Sequence, residues 1–179
     1  MTEEMELLYL RTLWHMRQYK RSRWAAVEEA KILYDECKAF KPELVVECGT
    51  ANGWSILWLA AAAPNARIVT YDAVKRDILM EHPRVEYRVE SFCDNVKDLL
   101  NTNEKTRKLF FIDGDHRQAK VRKDRKAIKP YCQSGDLVLF HDTSREPGVR
   151  WLMERLKGEK RVYSTGRGVT AYVVPKEET

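Results

Sequence analysis

The sequence predicts an α/β fold, a mostly parallel sheet with helices on both faces that finishes in an antiparallel hairpin. Three observations predict it. Five short apolar runs alternate with helical segments over residues 44–141, the pattern of a parallel sheet covered on both sides. The first run passes straight into a turn holding two glycines, Gly49 and Gly53. Strand, tight turn and helix in that order let a nucleotide-like ligand lie against bare backbone. The last two β-like runs flank Gly166-Arg167-Gly168, a glycine turn of the kind that joins hairpin strands.

Two helical segments open the chain. The first, residues 3–18, carries Met5, Leu8, Leu13 and Met16 near helical spacing. The second, residues 25–40, carries Ala26, Ala30, Leu33 and Cys37 on one face. The stretch from Arg17 to Trp24 between them is basic with interleaved aromatics. Pro42 stops the second helix and hands over to strand. Strands are expected at 44–48, 67–72, 85–89, 109–113 and 137–141. Helices are expected at 54–63, 95–101 and 117–131, with a short helical piece at 74–80 cut down by the brief interval after Asp72. The alternation then breaks into a helix at 149–156 and strands at 161–164 and 169–175.

A length of 179 residues predicts one domain with a substantial core, a helical segment at 1–40 preceding a core at 41–179. No repeat, low-complexity tract or linker divides it. Hydrophobic residues at 44% and charged residues at 33% suit a soluble globular chain. The longest apolar stretch, residues 56–64, is too short to span a bilayer, so no membrane partner is expected. The start, Met-Thr-Glu-Glu-Met-Glu, lacks the basic and then apolar pattern of a signal peptide. Cys37, Cys48, Cys93 and Cys132 are widely spaced without a C-x-x-C pair. They fit neither a zinc ribbon nor a disulfide scaffold, and a cytoplasmic location with reduced thiols is expected, Cys48 and Cys132 inside the fold. The net charge of +5 permits an acidic substrate without requiring one.

Open α/β sheets bind ligands at the C-terminal ends of their strands. Strand one ends in Glu47, and the turn reads E-x-G-x-x-x-G rather than the G-x-G-x-x-G of dinucleotide folds. An acid there would repel a pyrophosphate and suits a cationic ligand. Strand two ends at Asp72, whose carboxylate can accept both hydroxyls of a ribose. Strand three runs into Glu90-Ser91-Phe92. The turn, the acid after strand two and the terminal hairpin together resemble the class I S-adenosylmethionine (SAM) methyltransferases, over roughly residues 25–175. That resemblance implies a Rossmann-like sheet and SAM, a sulfonium and ammonium cation, as cofactor. It implies contacts from Glu47, Gly49, Thr50, Gly53, Asp72 and Asp113, with Ser55 reaching the methionine carboxylate and Ser91 and Phe92 at the adenine.

Strand four delivers Asp113-Gly114-Asp115-His116 and strand five delivers His141-Asp142-Thr143. Adjacent strands would bring both clusters to one rim, where Asp113, His141 and Asp142 form a candidate divalent-metal site. Oxygen ligands suit Mg²⁺, and an imidazole tolerates Mn²⁺. The pattern resembles the metal-dependent O-methyltransferases of the catechol and macrolide-sugar types. Their Asp-Gly-x-His segment implies that Asp113 is a ligand and His116 the general base, while His141 or Thr143 stands where those families have Glu or Asn. A hydroxyl is a poor nucleophile near neutral pH until a metal lowers its pKa or a base takes its proton. The expected activity is SAM-dependent methylation of a hydroxyl on a small molecule, of sugar or phenolic type, with a divalent metal such as Mg²⁺.

Two other readings compete. A nucleic-acid methyltransferase would use the basic connector 17–23 and the helix carrying Arg117, Lys120, Arg122, Lys123, Arg125, Lys126 and Lys129 as a phosphate track. No Asn/Asp-Pro-Pro-Tyr/Phe segment follows strand four, however, and Val121 and Ile128 give that helix the single apolar stripe of a solvated surface helix. A non-catalytic SAM-binding module would not need polar clusters at two strand ends. The N-terminal helices are expected either to cap the substrate pocket or to form a homodimer surface.

Overall fold

The computed structural model describes residues 23–78 and 81–176. Along the chain run α1 (Arg23–Phe40), β1 (Leu44–Cys48), α2 (Trp54–Ala62), β2 (Arg67–Asp72), β3 (Val85–Val89), α3 (Phe92–Asn101) and β4 (Lys108–Ile112). After them come α4 (Gln118–Ile128), a 3₁₀ turn (Lys129–Tyr131), β5 (Leu137–His141), α5 (Pro147–Arg155), β6 (Lys160–Tyr163) and β7 (Val169–Val173). The strands form one sheet in the order β3-β2-β1-β4-β5-β7-β6. The first five are mutually parallel, and β7 runs antiparallel to both β5 and β6.

The sheet's interior explains the apolar runs. Alternate residues of a strand point to opposite faces, and here both faces are covered. Val46, Phe110, Ile112, Val138 and Phe140 pack with Val96, Val121 and Val149 from α3, α4 and α5. Val45, Ile68, Leu109, Phe111 and Leu139 pack with Leu33, Cys37, Ile56 and Leu59 from α1 and α2. Helix α2 is apolar all round because α1 covers it, with Tyr34 set edge-on to Trp58. Ala30, Leu33 and Cys37 are buried as their spacing predicts. Arg84 closes the end of α2 by donating to the carbonyls of Ala60, Ala63 and Pro64.

Several boundaries differ from expectation. Residues 74–78 are not helical. Asp72 takes the Val74 N–H onto its own side chain at 3.0 Å and draws in Arg76 at 3.3 Å, holding the segment as a bend followed by irregular chain. Strand β4 spans Lys108–Ile112, one residue earlier at each end than expected, and Asp113 follows its last rung. Helix α3 begins at Phe92, with Ser91 at its N-cap. The expected helix 117–131 divides at Lys129, because Pro130 cannot donate within a helix. The hairpin connection is longer than the glycine triplet: β6 stops at Tyr163, which pairs with Val169 across residues 164–168. The expected helix 3–18, the connector through Ser22 and residues 79–80 lie outside the described residues, and with them the first helix's part in the expected N-terminal cap or dimer surface; the second helix is α1, which packs on α2. No helix among the described residues is long and apolar enough to cross a membrane. All four cysteines are described, and none is in a disulfide.

Candidate functional site

The strand order reverses between β1 and β4, and the crevice at such a switch point is where open sheets bind ligands. Gly49 is built for that place. It adopts φ 101°, and a Cβ on it would sit 2.3 Å from the carbonyl oxygen of Asp113. The ends of β1 and β4 therefore touch through bare backbone, tied by the Asp113 N–H to the Cys48 carbonyl at 2.9 Å. Ala51 is left-handed (φ 46°), and its N–H is accepted by Asp72 Oδ2 at 3.1 Å. Gly53 caps α2, also left-handed.

Beneath the turn, Glu47 is wholly buried. Its two oxygens accept the hydroxyls of Ser55 and Thr70, and Thr50 Oγ1 lies 2.6 Å from Thr70 Oγ1. Burial pushes the Glu47 carboxyl up to about 8, against the two hydroxyl hydrogen bonds, with the charges of Asp113 and Asp72 adding to the rise. The structure thus gathers Glu47, Gly49, Thr50, Gly53, Ser55 and Asp72 around one turn, with Ser55 engaged by Glu47. Ser91 donates to Asp94 at 2.7 Å at the head of α3. Phe92 is buried edge-on to Tyr71, ring centroids 5.6 Å apart.

The ends of β4 and β5 form the second half. Asp113 Oδ1 lies 3.2 Å from His116 Nε2 and 3.0 Å from His141 Nδ1. Asp142 Oδ2 lies 3.2 Å from each of the same two nitrogens. One ligand atom from each of these four residues falls within 4.8 Å of the others. Asp142 is 2% exposed and holds φ 58°, a left-handed backbone that costs about 1–2 kcal/mol outside glycine. Strain of this kind concentrates where a side chain must be aimed. Arg167 of the hairpin connection reaches within 3.6 Å of Asp142.

Each charge here leans on another. Burial would raise the Asp113 carboxyl, but the imidazoles of His141 and His116 hold it below the usual carboxylate range. Asp142 is lowered in the same way, the hydrogen bond and charge of His141 outweighing burial. His116 is raised, first by its hydrogen bond with Asp113 and against burial. For His141 burial acts downward, yet Asp113, Asp142 and Glu29 push it up to about 12. The donor set fits a divalent cation. Two carboxylates and two imidazoles converge, and Asp142 Oδ1 is buried with no hydrogen-bond partner among the described residues.

Sequence reasoning missed three contributors. Glu29 on α1 accepts His141 Nε2 at 3.1 Å, the Thr165 hydroxyl at 2.7 Å and the Arg167 N–H at 2.9 Å. Its signal was a carboxylate on the buried side of α1, next to Ala30, where a stripe should be apolar. Thr70 carried no signal beyond a polar residue inside a buried strand. At Gly148 a Cβ would lie 2.3 Å from the His116 carbonyl, so α5 seats the His116 loop through a glycine. Helix α4 turns Val121, Asp124, Arg125 and Ile128 inward and leaves Arg117, Lys120, Arg122, Lys123, Lys126 and Lys129 exposed. Of those, Arg117 pairs with Asp115 and Lys123 with Asp94, while Arg125 lies over the Tyr172 ring.

Comparison with known proteins agrees with this arrangement. No curated protein matches the sequence. A methyltransferase from Geobacter sulfurreducens has the same fold, with TM-score 0.68, 19% identity and 94% of this chain aligned to 88% of that one. The O-methyltransferase TomG of Streptomyces achromogenes, solved with SAM, aligns at TM-score 0.62 and 18% identity over 98% of this chain and 91% of its own. An O-methyltransferase from Bacillus cereus, solved with SAH, aligns at 0.61 and 17% over 97% and 92%. At such identities the likeness is one of fold. A family described as a methyltransferase domain matches residues 46–143, more than half of the chain, from β1 through both polar strand ends. The chain belongs to this family of methyltransferase domains and carries the class I methyltransferase sheet.

Proposed function

We propose that this methyltransferase moves the methyl group of SAM to a hydroxyl of a small molecule, of sugar or phenolic type, with a divalent cation, Mg²⁺ first, at the acceptor side. One observation carries the reading: Asp113, His116, His141 and Asp142 converge at the strand ends beside the Gly49 turn. The O-methyltransferases of like fold solved with SAM or SAH support SAM as the donor. The cysteines, none in a disulfide, fit a reducing compartment such as the cytoplasm.

SAM supplies a methyl group on a sulfonium. On that side Gly49 leaves the backbone bare, Asp72 receives the ribose hydroxyls, and Ser91 with Phe92 marks the adenine end. Glu47, whose carboxyl burial pushes up to about 8, ionises more readily in the field of a cationic ligand and so favours it. Asp113, Asp142 and His141 would hold the cation, whose chemistry is to lower the pKa of the acceptor hydroxyl. The two imidazoles divide the labour by their anchoring. His141, with an 11% exposed side chain, is held at both nitrogens and suits a ligand. His116, with a 28% exposed side chain, takes the hydroxyl proton at Nε2. Displacement at a methyl carbon needs oxygen, carbon and sulfur in line, and two hydrogen-bonded strands supply that rigidity.

Incubation with methyl-labelled SAM and a panel of catechols, sugars, RNA and DNA tests the reading, with Mg²⁺ and with EDTA. An O-methylated small molecule formed with Mg²⁺ and lost with EDTA is the expected result. Product formation indifferent to EDTA removes the cation. Label entering RNA or DNA instead replaces the acceptor class.

A further inference from the structure

Glu29 lies on α1, far in sequence from both polar strand ends, yet it is 4% exposed and aimed at the rim. One oxygen, Oε1, accepts the Thr165 hydroxyl and the Arg167 N–H; the other, Oε2, lies 3.1 Å from His141 Nε2. The opposite ring nitrogen, Nδ1, faces Asp113 Oδ1 at 3.0 Å and Asp142 Oδ2 at 3.2 Å. An imidazole that binds a cation through one nitrogen needs its proton on the other, and a carboxylate accepting that proton fixes both the tautomer and the ring plane. We propose that Glu29 is a positioning residue for the cation site: it holds the His141 proton on Nε2 and leaves Nδ1 to the metal beside Asp113 and Asp142. Glu29 simultaneously fastens the hairpin connection, so α1, β5 and the β6–β7 loop meet at one carboxylate. The inference rests on the metal-assisted reading above.

Glu29→Gln reverses the instruction to His141 with little change of shape. The backbone N–H of Arg167 can only donate, so the amide oxygen of glutamine turns to it and the amide NH₂ turns to His141 Nε2. Nε2 must then accept, which places the ring proton on Nδ1 and blocks the ligand atom. Mn²⁺ binding by the full chain, followed by loss of the free-ion EPR signal, reads this directly. Wild type is expected to bind, Asp142→Asn to lose binding, and Glu29→Gln to bind about 10–100-fold more weakly. Thr165→Val removes a hydrogen bond to Glu29, and the one its hydroxyl accepts from the Gly168 N–H, without changing what faces His141, and its affinity is expected to match wild type. Equal affinities of wild type and Glu29→Gln, with Asp142→Asn inactive in binding, overturn the role of Glu29 alone. Equal losses in Glu29→Gln and Thr165→Val overturn it in favour of plain packing. Absence of Mn²⁺ binding by wild type overturns the metal-assisted reading and this inference with it. Should Glu29→Gln fail to fold by circular dichroism, ring-¹⁵N spectra of the Mg²⁺-loaded wild type decide. A proton on His141 Nε2 supports the proposal and a proton on Nδ1 overturns it.

Discussion

His141 Nδ1 lies 3.0 Å from Asp113 Oδ1 because the register of two strands puts them there. Ile112 pairs with Phe140 as the last rung between β4 and β5, so the next residue of each strand stands beside the other just past that rung, His141 still paired with Val169 of β7. Asp142 then turns left-handed and brings its carboxylate back to the same two imidazoles. A cluster made this way inherits the stiffness of the sheet, and its members are expected to act together.

His116 is the member whose loss should separate binding from chemistry. It lies outside the glycine turn, and its Nε2 faces the two carboxylates. His116→Ala is expected to lower kcat by about 10²–10⁴-fold, the usual contribution of a general base. Its SAM affinity by calorimetry should stay within about twofold of wild type, because Asp113 is the one residue assigned to SAM that His116 touches and Asp113 keeps His141 as a partner. Undiminished turnover would remove His116 from the mechanism.

The same residue sets a pH dependence. Its hydrogen bond with Asp113, opposed by burial and helped by the charges of Asp113, Asp142 and Glu146, raises it above the ordinary 6.5. The stability gained from protonated His116 is therefore complete below 6.5 and is lost as pH rises through the elevated value. A base must be neutral, so kcat/KM is expected to climb across that interval. A cation on Asp113 and Asp142 would take up the charge that holds the proton. NMR titration of the ring should give a midpoint above 6.5 without metal and a lower one with Mg²⁺. A metal-free midpoint at or below 6.5 refutes the account.

What the sequence revealed follows from range. Strand positions were legible because runs such as Leu137 to Phe140 are apolar for a local reason, burial on both faces. The polar rim was legible because Asp113 to His116 and His141 to Asp142 follow such runs directly. Residues 74–78 were misread as helix because Asp72 captures the Val74 N–H, a side-chain competition that periodicity does not register. That the Ser55 hydroxyl goes to Glu47 was not legible, since that partner is set by the turn between them. Glu29 escaped because its partner His141 is reached only through the tertiary fold.

Gly148 shows the same limit and offers a clean test. A methyl group there would meet the His116 carbonyl at 2.3 Å and the Gln118 nitrogen at 2.5 Å, both backbone atoms that cannot rotate away. Gly148→Ala must displace the His116 loop from α5. The expected result is a loss of about 1–3 kcal/mol in stability, as for other overpacked sites. Turnover should fall with little change in SAM affinity, since the Gly49 turn lies elsewhere. An unchanged melting temperature and rate would show that the loop moves freely at no cost.

Glu47 gives the sharpest separation of stability from binding. In the folded chain burial pushes its carboxyl up to about 8, against an ordinary 4.5. Between those values the folded chain keeps a proton that the unfolded chain has released. The stability it contributes is therefore whole below 4.5 and lost as pH rises through about 8. Glu47→Gln keeps the shape without ever ionising, its amide oxygen accepting one of the Ser55 and Thr70 hydroxyls and its NH₂ donating to the other. Above pH ~8 the variant should melt later than wild type by several degrees, a gain on the order of 1–3 kcal/mol. Near pH 4 the two should coincide, since the unfolded acid is then largely protonated as well. Binding is expected to go the opposite way. A cationic ligand favours the ionised acid, so wild-type affinity for SAM should rise with pH toward about 8 and proton release should accompany binding. The variant should bind more weakly and without that slope. Melting curves and calorimetry across the pH range measure both, and a variant less stable than wild type at pH ~9 would mean that burial of the ionised Glu47 carboxylate costs the fold nothing, which overturns the account.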